Sequence, residues 1–115
     1  MTNRAENIIA IRDYLQRGSE TQQRASEKCA ESIALGACLI ADTFQRGAKI
    51  LLCGNGGSAA DCQHMATEFV SCLTQDFQRP GLPAIALTTD TSFLTAYSND
   101  TGFDGIFERQ VQALG

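Results

Sequence analysis

Apolar positions recur at helical spacing from the start of the chain. Ile8, Ile11 and Leu15 form one stripe over residues 4–17, which predicts a short amphipathic helix stopped by Gly18. Ser19 followed by Gln22 has the capping-box form that opens a new helix. Ala25, Cys29, Ile33, Ala37, Ile40 and Phe44 then recur every three or four residues, predicting a long helix to about Arg46 with Gly47 as its end. At 1.5 Å per residue that helix spans about 40 Å, long for so small a domain. Part of its apolar face is therefore expected to project beyond its own subunit and pair helix on helix.

The period changes at residue 48. Ala48 to Cys53 is a short apolar run suited to a buried parallel strand. Gly54 to Ser58 is a glycine-rich turn, and Ala59 to about Leu73 is expected to be a helix with Ala59, Cys62, Ala66, Phe69 and Leu73 on its apolar stripe. Thr74 to Leu82, containing Arg79-Pro80-Gly81, is predicted as a loop. Pro83 to Thr88 is a second buried strand, with proline tolerated at its first position. Thr91 to Ser98 is a short helix, Asn99 to Gly102 a turn, and Phe103 to Leu114 a final helix. Helix, strand, helix, strand, helix is the order of a parallel α/β sheet. Two parallel strands do not make an independent sheet, so the chain is expected to be incomplete or to borrow the rest of its sheet.

Composition narrows the partners. The chain has 115 residues, about one small domain, and its apolar (43%) and charged (19%) fractions are those of a globular protein. A net charge of −4 argues against nucleic acid. It leaves room for a small phosphorylated ligand, because main-chain amides bind phosphate without net positive charge. The five cysteines, Cys29, Cys38, Cys53, Cys62 and Cys72, never form C-x-x-C, and each falls in a predicted helix or strand. They are expected to be small buried hydrophobes in a reducing compartment. Met1 to Glu6 lacks the features of a signal peptide, and no stretch approaches the roughly 20 apolar residues of a membrane span. A cytoplasmic location and no membrane partner are expected.

The chemistry is concentrated at Gly54-Asn55-Gly56-Gly57-Ser58. Glycines directly after a strand let the backbone turn sharply and approach a ligand, and the helix behind them offers unpaired amides and a positive dipole end. Ser58 is a candidate N-cap or a hydroxyl donor to phosphate. The plain alternative is a tight strand-to-helix turn with no ligand. The loop lacks the lysine and spacing of a P-loop. It fits the looser dinucleotide form through Gly54, Gly56 and Ala59, but the nearest acidic candidate, Asp90, lies farther on than the usual 20 or so positions.

On the following helix Asp61, His64 and Glu68 share a face nearly opposite the apolar stripe, and His64 is the only histidine. A histidine and a carboxylate one turn apart can give two ligands to a divalent metal such as zinc. Alternatively, Glu68 can move a proton between sugar carbons while His64 orients it. The plain alternative is a solvated face with an ordinary ion pair. Asn99-Asp100 before Gly102 is turn chemistry first. Beyond the end of a strand, the same two side chains can bind sugar hydroxyls.

Three stretches carry a resemblance to a known family: C-G-N-G-G-S-A-A-D-C-Q-H-M-A-T-E at 53–68, R-P-G-L-P-A-I-A-L-T-T-D-T-S at 79–92, and S-N-D-T-G-F-D-G-I-F-E-R-Q-V at 98–111. There the chain resembles the phosphoheptose isomerases of the sugar-isomerase (SIS) domain group, and the likeness extends over essentially its whole length. The resemblance implies an α/β fold in which N-terminal helices (1–47) precede the first part (48–115) of a parallel-sheet, three-layer, flavodoxin-like domain. The whole chain would be a single partial domain, apparently truncated. It implies that Asn55, Gly56 and Gly57, with Ser58 beside them, contact a sugar phosphate, and that Asn99 and Asp100 bind the sugar. Glu68 would be the catalytic acid/base, assisted by His64, and both would be zinc ligands.

The implied reaction converts sedoheptulose 7-phosphate to D-glycero-D-manno-heptose 7-phosphate, for heptose biosynthesis, in a homotetramer built through the N-terminal helices. Relatives continue beyond the position of Gly115 into a further strand, a Ser/Thr-rich phosphate loop and more metal ligands, so the 115 residues alone are expected to be catalytically incompetent. A non-catalytic SIS module that binds a phosphosugar or a protein partner is the alternative. Glu68 favours the enzyme, since a module needs no base there.

Overall fold

The computed structural model describes residues 3–115. Met1 and Thr2, the start of the segment read for a leader, lie outside it. Internal contacts divide the chain into two units, one up to Leu39 and one over Ile40–Gly115.

The first unit is a single rod. Helix α1 runs unbroken over Arg4–Gln45, so the stop expected at Gly18 and the restart at Ser19 do not occur. One glycine inside a helix costs only about 1 kcal/mol relative to alanine, and side-chain links bridge the position. Asp13 pairs with Arg17 at 3.1 Å, Gln16 donates to Glu20 at 3.1 Å, and the Thr21 hydroxyl donates to the Arg17 carbonyl at 2.9 Å. No residue of α1 is buried. Ile8, Ile11, Leu15 and Ile33 all remain exposed.

The second unit holds the sheet. Strand β1 (Ile50–Leu52) pairs in parallel with β2 (Ala84–Ala86), with Ile50 opposite Ala84, Leu51 opposite Ile85 and Leu52 opposite Ala86. Pro83 extends the ladder through its carbonyl, which accepts from the Ile50 amide at 2.9 Å. A proline at a strand start gives up a donor the ladder does not need there.

Between the strands, α2 (Gly57–Val70) crosses over and lays Cys62 and Ala66 on Ala84 and Ala86, with Ile50, Leu52 and Phe69 packed around them. The small side chains on both surfaces let the helix axis come close to the sheet. The expected stripe therefore holds through Phe69, whereas Leu73 lies past the helix end and is exposed. Phe69 also meets Phe44, ring centroids 5.3 Å apart.

Among the described residues β2 is covered on one face only, since Ile85 stays exposed between two buried alanines. Both strands are shorter than expected, because the ladder has no third strand among these residues to extend it.

After β2 come α3 (Thr91–Asp100), a short 3-10 turn (Phe103–Gly105) and α4 (Ile106–Leu114). The Asp90 carboxylate caps α3 by accepting from the Phe93 amide at 2.9 Å. α4 is anchored from inside: the buried Gln110 amide donates to the Leu87 carbonyl at 2.9 Å and to the Ile106 carbonyl at 3.0 Å.

The cysteines depart from expectation. Cys62 is buried, but Cys29, Cys38 and Cys53 are exposed and Cys72 is half-buried. Cys53 and Cys72 also lie just outside their elements. No helix among the described residues is long and apolar enough to cross a membrane.

Candidate active site

Leu52 ends β1, and the chain turns through Cys53, Gly54, Asn55 and Gly56 into α2. Two glycines make this turn possible for different reasons. Gly56 sits at the helix N-cap with φ 57, a left-handed conformation that costs most other residues about 1 kcal/mol or more. Gly54 has no such angle, but a Cβ there would lie 2.8 Å from the Ser58 Cβ and 3.0 Å from its carbonyl carbon. The loop folds tightly enough onto the first turn of α2 that only a hydrogen fits.

The Gly56 carbonyl accepts from the amides of Ala59 (3.1 Å) and Ala60 (3.4 Å). Among the described residues the amides of Gly57 and Ser58 have no backbone acceptor, as expected for the first turn of a helix. They are the donors available to an anion at the positive end of α2. Ser58 is not the N-cap, contrary to one expectation. The helix already begins at Gly57, and no side chain caps it.

Two bonds tie this turn to the carboxyl end of β2. The Thr88 hydroxyl donates to the Ala59 carbonyl at 3.4 Å, and the Gln63 amide donates to the Thr88 hydroxyl at 3.3 Å. The carboxyl ends of both strands thus meet the start of α2, where ligands sit in open α/β sheets. Sequence reasoning passed over Gln63 and Thr88. Their polarity just beyond a strand and one turn into a helix is the only signal they give.

Farther along α2, His64 Nε2 lies 3.0 Å from Glu68 Oε1. An ionised carboxylate only accepts, so against it Nε2 carries the hydrogen. The two side chains differ sharply in environment: His64 is 76% exposed and Glu68 30%. Glu68 Oε2 is buried without any hydrogen-bond partner, the one such side-chain atom among the described residues. Glu68 also lines a cavity of about 490 Å³, together with Met65, Phe69, Leu73, Thr74, Phe77, Arg79 and Leu82.

The expected polar face of α2 is therefore polar at His64 but not at Glu68. The cause is the loop after the helix, which folds back across its end. The Leu82 amide donates to the Phe69 carbonyl at 3.0 Å, and the Arg79 guanidinium donates to the carbonyls of Glu68 (2.6 Å) and Phe69 (2.7 Å). In the sequence Arg79 stands only as part of a Pro-Gly loop.

The site residues fall into three groups. Asn55, Gly56, Gly57 and Ser58 sit at the start of α2, and His64 with Glu68 lies two to three turns on. Ser58 and Glu68 are about ten residues apart, roughly 15 Å along the axis, and the loop residues do not line the cavity around Glu68. Asn99 and Asp100 are the exposed last residues of α3 rather than part of a turn, and Asn99 Nδ2 donates to Asp100 Oδ1 at 2.9 Å. Helix α3 reaches them because Thr101 and Gly102 still bond back to the Tyr97 carbonyl. Asp90, the candidate for a dinucleotide ribose, has its carboxylate committed to capping α3.

Comparison with known proteins agrees with this architecture. A family model described as SIS domain matches residues 13–114. The phosphoheptose isomerase of Roseiflexus sp. (strain RS-1) is 54% identical over 103 residues, covering 90% of this chain and 51% of that protein. That of Pelodictyon phaeoclathratiforme is 45% identical over 115 residues, covering 100% of this chain and 54% of that protein. Among solved structures, phosphoheptose isomerase GmhA from Neisseria gonorrhoeae superposes with a TM-score of 0.83 at 41% identity, over 98% of this chain and 55% of its own. A phosphoheptose isomerase from Francisella tularensis gives 0.88 at 34% identity, over 100% and 57%. The chain spans about half the length of the curated relatives it matches. With its parallel strand pair, glycine turn and crossover helix in that register, the chain belongs to the SIS domain family, and throughout its length it is similar to the phosphoheptose isomerases.

Proposed function

We propose that this chain serves a phosphosugar isomerase that converts sedoheptulose 7-phosphate to D-glycero-D-manno-heptose 7-phosphate. The observation that carries the reading is Glu68: one carboxylate oxygen is held by His64, the other is buried and unpartnered, and the residue lines a cavity. A base oriented through one oxygen and unsatisfied at the other is poised to take a proton. Glu68 Oε2 removes the proton from C1 of the ketose, and the C–H electron pair becomes the C1–C2 double bond of an enediolate. The O1 hydroxyl proton passes to O2, which the former C2 carbonyl electrons have left negative. The proton on Glu68 returns to C2 as O1 becomes the carbonyl oxygen, so nothing is oxidised or reduced overall. His64 keeps Glu68 in place. The open amides of Gly57 and Ser58, with Asn55 and Gly56, bind the anionic part of the substrate, and Asp61 and His64 occupy the turns of α2 between that point and Glu68. In this reading Asn99 and Asp100 bind sugar hydroxyls.

Zinc is implied by the family resemblance, and His64 and Glu68 are the residues of this chain that would face it. They do not suffice. Zinc takes three or four protein ligands, and no cluster of three or more His, Cys, Asp or Glu suited to a metal exists among the described residues.

The exposed apolar residues of α1, among them Ile8, Ile11, Leu15 and Ile33, support assembly as a homo-oligomer, a tetramer in this reading. Exposed thiols at Cys29, Cys38 and Cys53 suit a reducing compartment, hence the cytoplasm and a place in heptose biosynthesis.

A second reading, a module that binds a phosphosugar without turning it over, draws on the separation of the glycine turn from the Glu68 cavity. The substitution Glu68→Gln separates the two in the protein as its host produces it. For the isomerase, heptose-phosphate formation falls about 10²–10⁴-fold while sugar-phosphate binding by calorimetry persists. A wild-type protein that binds the sugar phosphate without converting it, indifferent to Glu68→Gln, establishes the module instead.

A further inference from the structure

The last turn of α2 carries a carboxylate where a helix disfavours one. Glu68 lies within the final turn before Val70, and α2 has no basic residue of its own there. Carbonyls at that end are orphaned and the dipole is negative. Arg79 supplies the missing cation from the following loop. Its Nη2 donates to the Glu68 carbonyl at 2.6 Å, and its Nη1 donates to the carbonyls of Phe69 at 2.7 Å and Pro80 at 3.0 Å.

The Phe69 carbonyl has a second donor in the Leu82 amide. Among the described residues the Glu68 carbonyl has Arg79 alone, because the helix ends before residue 72 could donate to it. Arg79 forms no ion pair among these residues, so its charge is spent on the helix end. It also lines the same cavity as Glu68.

We infer that Arg79 is a positioning residue for Glu68: its guanidinium fork fixes the main chain at the very residue whose carboxylate does the chemistry. The inference rests on the isomerase reading above. A planar fork holding two successive carbonyls sets both the position and the tilt of the peptide at residue 68. A lysine, with a compact ammonium on a flexible stem, holds one point without fixing orientation. A displacement of about 1 Å in a reacting group costs on the order of 100-fold in rate, which is the scale expected when the fork is lost.

The test compares Arg79→Met and Arg79→Lys with wild type in the protein as its host produces it, measuring kcat and KM for sedoheptulose 7-phosphate beside thermal denaturation. The expected result for Arg79→Met is a fall in kcat of about 100-fold with KM within threefold, and Arg79→Lys recovers about tenfold of that loss. If Arg79→Met does not fold, a folded Arg79→Lys with kcat reduced about tenfold supports the inference. A folded variant with kcat within twofold of wild type overturns it, as does a loss of rate no larger than the unfolded fraction. Wild type that turns nothing over removes the isomerase reading and this inference together, whereas active wild type with indifferent variants removes this inference alone.

Discussion

His64 Nε2 and Glu68 Oε1 stand 3.0 Å apart across one turn of α2, the first side chain largely in solvent and the second largely out of it. The asymmetry decides what the pair is for. An exposed helical pair of this spacing contributes little to stability. An ordered contact that leaves the other carboxylate oxygen buried and unpartnered gives direction to a base.

His64→Ala is accordingly expected to leave the protein folded, with a melting temperature within a few degrees of wild type. Turnover should fall tenfold or more, since the carboxylate is then free to rotate. Thermal denaturation beside a heptose-phosphate assay checks both halves. A large loss of stability with unchanged rate per folded molecule would show that the pair is structural.

Gly54→Ala places a methyl 2.8 Å from the Ser58 Cβ and 3.0 Å from its main chain. Backbone cannot yield as a flexible side chain can, so the turn must open. A loss of about 1–3 kcal/mol is expected, together with weaker sugar-phosphate binding, because the Gly57 and Ser58 amides move with the turn. Denaturant unfolding and calorimetric titration measure the two effects. Unchanged binding in the folded variant would disconnect the turn from the ligand.

Gln110→Leu keeps the bulk of a buried side chain but removes the donor to the Leu87 and Ile106 carbonyls. Ile106 is 3% exposed and Leu87 1%, so no water replaces that donor readily. The expected cost is about 1–3 kcal/mol, read as a lower denaturation midpoint at unchanged slope.

Gly18→Ala tests the continuity of α1. A Cβ at Gly18 meets nothing within 4 Å, and alanine favours the helix by about 1 kcal/mol. Greater helicity or a higher melting temperature is the expected outcome. Destabilisation would mean that the helix breaks at Gly18 in solution.

Much of this was readable from local pattern. The glycine turn, the crossover helix with its Cys62–Ala66–Phe69 stripe, and the two short strands follow from periodicity, which depends only on backbone geometry. The end of α1 at Gly47 was legible too. The break at Gly18 was misread because glycine is a weak helix breaker, and the links around Thr21 cannot be weighed from spacing alone. Asn and Asp favour turns and predict one at residues 99 and 100, yet bonds to the Tyr97 carbonyl carry α3 through them. Residue type puts the cysteines inside, but burial depends on which faces are covered, and no residue of α1, Cys29 and Cys38 included, is buried.

The sequence by itself determined the order of the elements and the position of the glycine turn, because period and backbone freedom are local properties. It also placed His64 and Glu68 on one helical face. Only the tertiary structure decided that Glu68 leaves the solvent, that Arg79 holds the peptide beneath it, and that Gly54 is required for close approach rather than for an unusual angle. Each of these depends on the chain returning to itself through the loop after α2 or the turn before it. Contacts between residues distant in sequence leave no period to read.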